Sequence, residues 1–404
     1  GGAVYNEGSL LVRGSRLQEN YSAGGGAIFN QVGGTAVIQG SSFLSNTVDN
    51  GAYGGAISNS GSVTITTSTF AGNNMTLLTT CPPVLDSFCG GGAIANLSGA
   101  VLDVSTTDFS RNSSNQNAGA ILNKGGLRLY DSTLNDNRAN SSGGLANIIT
   151  ATAYLTRVVI SGNQAVSAAG LFNAVGSTMF LTDVGIRDNA ATNDGGGFFN
   201  QSAVASLNRV TISGNSAGIL SGGIENIDGA TLTLVNSTLS GNSAGEGGGG
   251  MSNYEATVNL THVTFSGNTA GNVGGGILND PDPNSIVNLK NVLLVGNRYL
   301  NCGGQAPNTA SFSLSTDTTC VAGGNGNHPN TPQVLGPLAD NGGFTLTQLA
   351  APGSEAVDHG SCIGGLLVDQ RGLPRQVNGA CDIGATERQT NDLGFFVWLP
   401  LMRR

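Results

Sequence analysis

The stretch Gly25-Gly26-Ala27-Ile28-Phe29-Asn30, followed by Phe43-Leu44-Ser45-Asn46, decides the fold, because it comes back. It returns as Gly54-Gly55-Ala56-Ile57-Ser58-Asn59 with Phe70-Ala71-Gly72-Asn73, and again as Gly91-Gly92-Ala93-Ile94-Ala95-Asn96 with Phe109-Ser110-Arg111-Asn112. The first motif, small-small-small-apolar-x-Asn, ends at Asn6, Asn30, Asn59, Asn96, Asn123, Asn147, Asn173, Asn200, Asn226, Asn253 and Asn279. The second, apolar-x-x-Asn, ends at Asn20, Asn46, Asn73, Asn112, Asn137, Asn163, Asn189, Asn215, Asn242, Asn268 and Asn297. The two alternate with a period of about 24–29 residues, the signature of a repeat architecture. One long period, from Asn59 to Asn96, carries an insert at about residues 75–90 that contains Cys81 and Cys89.

Between the motifs lie apolar pairs spaced by two, such as Val63 and Ile65, Leu127 and Leu129, or Leu232 and Leu234. That spacing puts both side chains on one face of a strand, and no 3.6-residue period competes with it. Each repeat therefore reads as three short strands that cannot bury a core alone and must stack on the next repeat. The reading is all-β: a parallel β-helix of about eleven coils over residues 1–299. The apolar residue before x-Asn points into the coil, x points outward, and the Asn points in again at a corner. There its amide satisfies backbone groups freed by the turn and meets the next Asn of the stack. The Gly pairs allow positive φ and close approach between coils. Both Asn columns are thus read as structural rather than catalytic.

Composition excludes several functions. Of 404 residues 64 are Gly, yet no G-X-Y period marks a collagen. A net charge of −9 with 16 Lys+Arg argues against nucleic acid as a partner. No apolar run is long enough to cross a bilayer as a helix.

The two motifs resemble the GGA[I/L/V/Y] and FxxN repeats of the polymorphic outer membrane protein family, with Gly25-Gly26-Ala27-Ile28 and Phe43-Leu44-Ser45-Asn46 as close matches. The resemblance implies a right-handed β-helix, secreted or exposed on a cell surface, with an adhesive role. The C-terminal barrel of that family is not recognisable here, so autotransport is not implied.

Nine of the 11 Pro residues follow position 280, which sets a boundary near residue 300. The segments Gly336-Pro337-Leu338-Ala339-Asp340-Asn341-Gly342-Gly343, Asp369-Gln370-Arg371-Gly372-Leu373-Pro374-Arg375 and Ala380-Cys381-Asp382-Ile383-Gly384-Ala385 resemble a choice-of-anchor region of the Q type. Residues 300–388 are accordingly expected to cap the open end of the last coil. Residues 389–404 form an apolar tail in which Phe395, Phe396, Val397, Trp398, Leu399 and Leu401 are the expected assembly contacts. Residue 1 opens inside a repeat, so a signal and earlier coils are expected before it. Docking of the tail on the first coil of another copy would give a homo-oligomer or filament.

The six Cys fall as three sequential pairs, Cys81/Cys89, Cys302/Cys320 and Cys362/Cys381, expected as local disulfides outside the regular coils. They suit an oxidising, extracellular compartment. The densest acidic set is Glu225, Asp228, Glu255, Asp280 and Asp282, with Asp183, Asp188 and Asp194 a weaker one. Asp228, Glu255, Asp280 and Asp282 are the candidates for Ca²⁺, against a solvated acidic edge; no other cofactor is expected. His262 is placed on an outward strand position, and His328 and His359 in no defensible catalytic arrangement. Outward Phe172 and Phe199 are candidates for a contact patch. Eight Asn-x-Ser/Thr sequons, at Asn20, Asn74, Asn96, Asn112, Asn140, Asn200, Asn236 and Asn259, are near what chance gives. The resulting expectation is a non-enzymatic extracellular or cell-surface solenoid with a structural or adhesive role toward host, matrix or surface glycan or protein. The rival is a polysaccharide lyase or hydrolase with a lateral acidic site.

Overall fold

The computed structural model describes residues 1–49, 53–76, 81, 88–377, 379–390 and 392. The tail contacts Phe395 to Leu401 and most of the insert lie outside the described residues. What is described is all-β: a parallel β-solenoid of about eleven turns, with no helix among the described residues.

The apolar-x-Asn segments form one 12-stranded parallel sheet, from Val4–Asn6 to Cys302–Gly304. Its register pairs Ile28 with Ile57, Ile57 with Ile94 and Ile94 with Ile121, each fully buried. Burying such a side chain contributes about 1.5–3 kcal/mol. The apolar-pair strand and the apolar-x-x-Asn strand belong to a second sheet of 20 strands. They are bent apart by a corner in most coils but run as continuous strands at Thr152–Ser161, Thr178–Arg187, Thr231–Ser240 and Thr257–Ser266. Within this core Phe43, Phe70 and Phe109 stack at 4.6 and 5.0 Å. Short strands after the second Asn, such as Thr47–Asp49 and Asn74–Thr76, make two small four-stranded sheets that the sequence pattern did not reveal.

Both Asn columns are continuous. In the first, each amide nitrogen donates to the next Asn oxygen at 2.6–3.0 Å, from Asn6 to Asn30 through to Asn253 and Asn279. In the second, each amide from Asn20 to Asn268 donates to its successor, and from Asn46 onward also to a carbonyl of the preceding coil. Asn163, for example, donates to Asn189 Oδ1 at 2.9 Å and to Leu134 O at 3.0 Å. Its own Oδ1 accepts from both the backbone and the side chain of Asn137. Gly55 shows why small residues precede the first motif: a Cβ there would lie 2.0 Å from Gly92 O.

The solenoid does not stop at residue 299. Cys302–Gly304 pairs with Ile277–Asn279, Thr309–Ser311 with Asn288–Lys290, and Leu314–Ser315 with Leu293–Val295. This last partial coil lost the motif Asn residues, so the pattern hid it; Asn301 instead closes the second column by accepting from Asn297 at 2.8 Å. The disulfide Cys302–Cys320 therefore starts in a strand rather than outside the coils, and Cys320 and Val321 plug the core.

Part of the expected cap does stack on that last coil, where His328 pairs with Leu314 and Thr331 N donates to Ser315 O, but the rest turns aside. Residues 345–385 lie along the flank of the second sheet, across the coils that carry Arg209, Asn236, His262 and Asn291. Thr211 Oγ1 donates to Leu346 O, Thr238 Oγ1 donates to Gln370 Oε1 at 2.6 Å, and Ala385 N donates to Thr264 Oγ1 at 3.0 Å. Leu293 and Leu314 of the solenoid share a buried cluster with Ala350, Ala356 and Ile383. A row of buried Thr hydroxyls is what this segment needs from the sheet, since each must find a partner once covered.

Asn163→Ala should cost about 3–5 kcal/mol, because it leaves Asn137 and Leu134 with unpaired buried groups. Asn20→Ala, at the half-exposed start of the same column, should cost under about 1 kcal/mol. Urea melts of the two variants check this; equal losses would contradict the ladder as the source.

Candidate functional site

Position x of the first motif points out of the coil but is mostly not solvated. Ala95, Leu122, Ala146 and Phe172 join Ala118, Ile148, Ala168 and Ala174 in a second buried layer. Phe172 and Phe199 meet edge to face at 5.5 Å inside it, so Phe172 is not an open contact patch. The Gly-rich segment before each motif folds over this layer: a Cβ on Gly247 would lie 2.6 Å from Leu278, and one on Gly248 1.8 Å from Ser252 Oγ.

Glu225 occupies this position, between Phe199 and Ser252 in the register. It is 5% exposed, and its Oε2 has no hydrogen-bond partner. Burial, with the nearby charges of Asp194 and Asp228, pushes its carboxyl up to about 8, so it holds a proton at neutral pH. The same surroundings push Tyr254 up to about 12, burial first and Asp280 next. Asp194 accepts from Leu220 N at 3.0 Å and Asp228 from Gln201 Nε2 at 2.7 Å. Glu225 is thus a neutral, buried acid flanked by carboxylates, not part of a solvated edge.

The calcium candidates do not converge. Asp282 N donates to Asp280 Oδ2 and Asn284 N to Asp282 Oδ1, which shapes a Pro-containing turn. Asp228 and Glu255 sit at positive-φ corners on successive coils. Among the described residues, the carboxylates that lie within 4.8 Å of one another as a group of three are Asp358, Asp382 and Glu387. All belong to the flanking segment. Asp382 and Glu387 are buried, and their oxygens accept from the backbone of Asp358, Arg388 and Asp382 at 2.6–2.9 Å. Burial raises both carboxyls, Glu387 to about 8, with Asp382 as the second cause. Asp183 forms a two-pronged ion pair with Arg209 at 2.7 and 2.8 Å.

His262 is not outward-looking in the solvent sense. Its corner faces out of the coil, but the flanking segment covers it completely. Nδ1 lies 3.0 Å from Arg375 Nη1 and Nε2 2.9 Å from Asn291 Nδ2. Burial first, then Arg375, holds its pKa well below the usual value, and Lys290 adds a smaller push. His328 and His359 come together edge to face at 5.4 Å, both near Glu355 Oε2 at 3.5 and 3.8 Å. Of the sequon asparagines Asn96, Asn112, Asn200 and Asn236 are buried, and Asn140 is exposed. The pairs Cys81–Cys89 and Cys362–Cys381 are bonded, as is Cys302–Cys320.

One feature of the outer surface was overlooked in the sequence. The outward column of the apolar-pair strands runs Asp103, Arg128, Tyr154, Phe180. Tyr154 and Phe180 stack at 4.9 Å and 9° while 44% and 37% exposed. Val101, two coils before Tyr154, and Val204, one coil after Phe180, are exposed in the adjoining column. The signal was available: residue 128 lies between the inward pair Leu127 and Leu129, and its column follows from the period.

No family model matches the chain, and no curated protein matches it. A solved structure titled as the crystal structure of pectate lyase Pel9A is similar at 12% identity and TM-score 0.47, over 96% of this chain and 89% of that one. That neighbour is an enzyme, so the expectation of a chain without enzymatic activity is withdrawn.

Two titrations follow. Glu225 has a folded pKa above its unfolded value, so its contribution is full below about pH 4.5 and is lost as pH rises toward about 8. Glu225→Gln should therefore be more stable than the wild type by about 2–4 kcal/mol at pH 8.5 and nearly equal to it at pH 4.5. His262 has the opposite sign: its depressed folded pKa makes stability fall as pH drops below about 6.5. His262→Asn should flatten that acid limb by up to about 1.4 kcal/mol per pH unit, read from urea midpoints between pH 4 and 7.

Proposed function

We propose that this chain is an extracellular adhesive solenoid that holds a surface ligand on the lateral face of its second sheet. The observation that carries this reading is the exposed, stacked pair Tyr154 and Phe180, with exposed Val101 two coils before Tyr154 and Val204 one coil after Phe180 in the adjoining column. Along its own column the pair follows Asp103 and Arg128 and precedes Ser206, while Leu11 and Val37 at the start of that column are exposed as well. Contiguous exposed apolar side chains on a folded surface mark interaction sites. Three disulfides suit an oxidising, extracellular setting. A stacked core and two hydrogen-bonded Asn columns give such a face the rigidity that lowers the entropy cost of binding.

A second reading, a carbohydrate-active enzyme, is favoured by one observation. Glu225 keeps a proton at neutral pH beside two carboxylates, which is the condition for a general acid paired with a base.

A single set of variants separates the two. Tyr154→Ser with Phe180→Ser matches Ser206 in the register and should leave the melting temperature unchanged. It should weaken binding of the labelled chain to cells and to matrix-coated surfaces at least ~10-fold. Cleavage of neutral or acidic polysaccharides, with or without Ca²⁺, that is lost in Glu225→Gln would replace the adhesive reading with the enzymatic one.

A further inference from the structure

Column arithmetic leaves a gap beside Tyr154. The first outward column of the apolar-pair strands reads Val101, Gly126, Thr152 in register. Gly126 has no side chain between two that do. A Cβ there would touch only Ala100 O, at 3.9 Å, so the space above it is open. A cavity of about 200 Å³ occupies it, lined by Val101, Asp103, Gly126, Arg128, Thr152 and Tyr154. A second opening of about 400 Å³ adjoins it round the corner and shares Val101, Gly126 and Thr152. The two lie side by side across the same three coils, with the row Val101, Gly126, Thr152 as their shared wall, and together they make an open cleft.

The walls differ in chemistry. Tyr154 is covered on one face by Phe180, from the following coil. Its other side lines the cavity, where the preceding coils lie. Opposite stands the pair Arg128–Asp103, at 3.6 Å, with Arg128 leaning away from the ring toward the carboxylate. Asp103 Oδ1 is shielded from solvent and accepts no hydrogen bond. Thr152 adds a hydroxyl at the rim. Lys124, at the adjoining opening, is buried with its ammonium donating to Tyr53 Oη at 3.1 Å.

We infer that this cleft is a subsite for a neutral pyranose chain, at least two sugar units long. The inference rests on the adhesive reading and names its ligand class. A pyranose ring has an apolar C–H face that suits the open π-face of Tyr154. Its hydroxyls both donate and accept, which suits the part-exposed Arg128–Asp103 pair, a five-donor guanidinium beside a carboxylate. A purely apolar peptide side chain would take water from the part-exposed Arg128–Asp103 pair and return no hydrogen bonds, at a cost. The facing charges of Arg128 and Asp103 cancel, and Lys124 is engaged, so nothing in the cleft selects a polyanion. Two adjoining volumes in one cleft favour an extended chain over a single sugar. Open clefts with a few convergent polar groups on a pre-formed wall are the usual form of such sites.

Isothermal titration of the full chain tests the subsite, using cellohexaose, mannohexaose and laminarihexaose as neutral probes and hexagalacturonate as the acidic one. At least one neutral hexaose should bind, without change on adding EDTA. Gly126→Val repeats the Val101 side chain on the neighbouring strand and fills the cleft, its Cβ meeting only the Ala100 carbonyl at an ordinary 3.9 Å. It should lower the affinity at least ~10-fold with an unaltered circular dichroism melt. Tyr154→Ala should do the same by removing the stacking face. The subsite is overturned if no neutral hexaose binds, if hexagalacturonate binds more tightly, or if both variants bind as the wild type does. A chain that fails with every hexaose yet still binds intact surfaces would overturn the subsite alone and leave the adhesive reading standing. A chain that binds neither sinks both.

Discussion

Everything in this molecule depends on keeping two columns of asparagine amides in register. A primary amide has two donors and one strong acceptor, and a corner of backbone offers carbonyls that need donors. Stacking one amide on the next satisfies both, but only if every coil returns to the same azimuth. The columns therefore fix coil length more strictly than hydrophobic burial does. Apolar side chains tolerate a shift of an ångström; an amide 0% exposed without its partner does not. The one long period obeys the same constraint: Asn59 still meets Asn96 at 2.8 Å across 37 residues.

A third column shows how the same backbone position takes different chemistry along the rod. The corner within the second sheet has positive φ in coil after coil and carries Asp131, Arg157, Asp183, Arg209, Asn236, His262 and Asn291. Its upper part is open where Arg157 clasps Asp131; Arg209 clasps Asp183 in the same way at the edge of the flanking segment, less exposed. Its lower part lies under the flanking segment, where Asn and a neutral His replace the ion pairs. Arg375 reaches in to donate to Asn236 Oδ1 at 2.8 Å and to Ala385 O at 2.7 Å, with Glu387 3.8 Å away. Surface ion pairs of the first kind add little stability, whereas a buried network of the second kind is costly to disturb.

The fold was legible because its signals repeat: a spacing of two for the strand, a fixed period for the coil, and Asn where corners must be satisfied. Alternation told which side chains leave the coil interior but not what covers them, which is why Glu225, Phe172 and His262 were assigned to the surface. Glu225 lies between Phe199 and Ser252 in a layer outside the coil that alternation alone does not announce. What covers His262 is Arg375, 113 residues away. No local rule reaches that far. The last coil was missed for a related reason, since Cys302–Gly304 keeps the backbone pairing while dropping the residues that advertised it. The Tyr154 column needed no distant information, only the register carried outward from the inward pairs.

The flanking segment also divides the rod mechanically. Along the early coils the ladder bonds run from each turn to the next, about 24–29 residues away outside the insert, so a pull on that end can peel them nearly one at a time. From Arg209 to Asn291 the coils share a strap whose bonds span 70–160 residues. They cannot part singly, because opening one breaks contacts that belong to the others. Under tension the molecule has a ratchet-like end, which yields in small steps, and a riveted end, which holds until it gives way as a block.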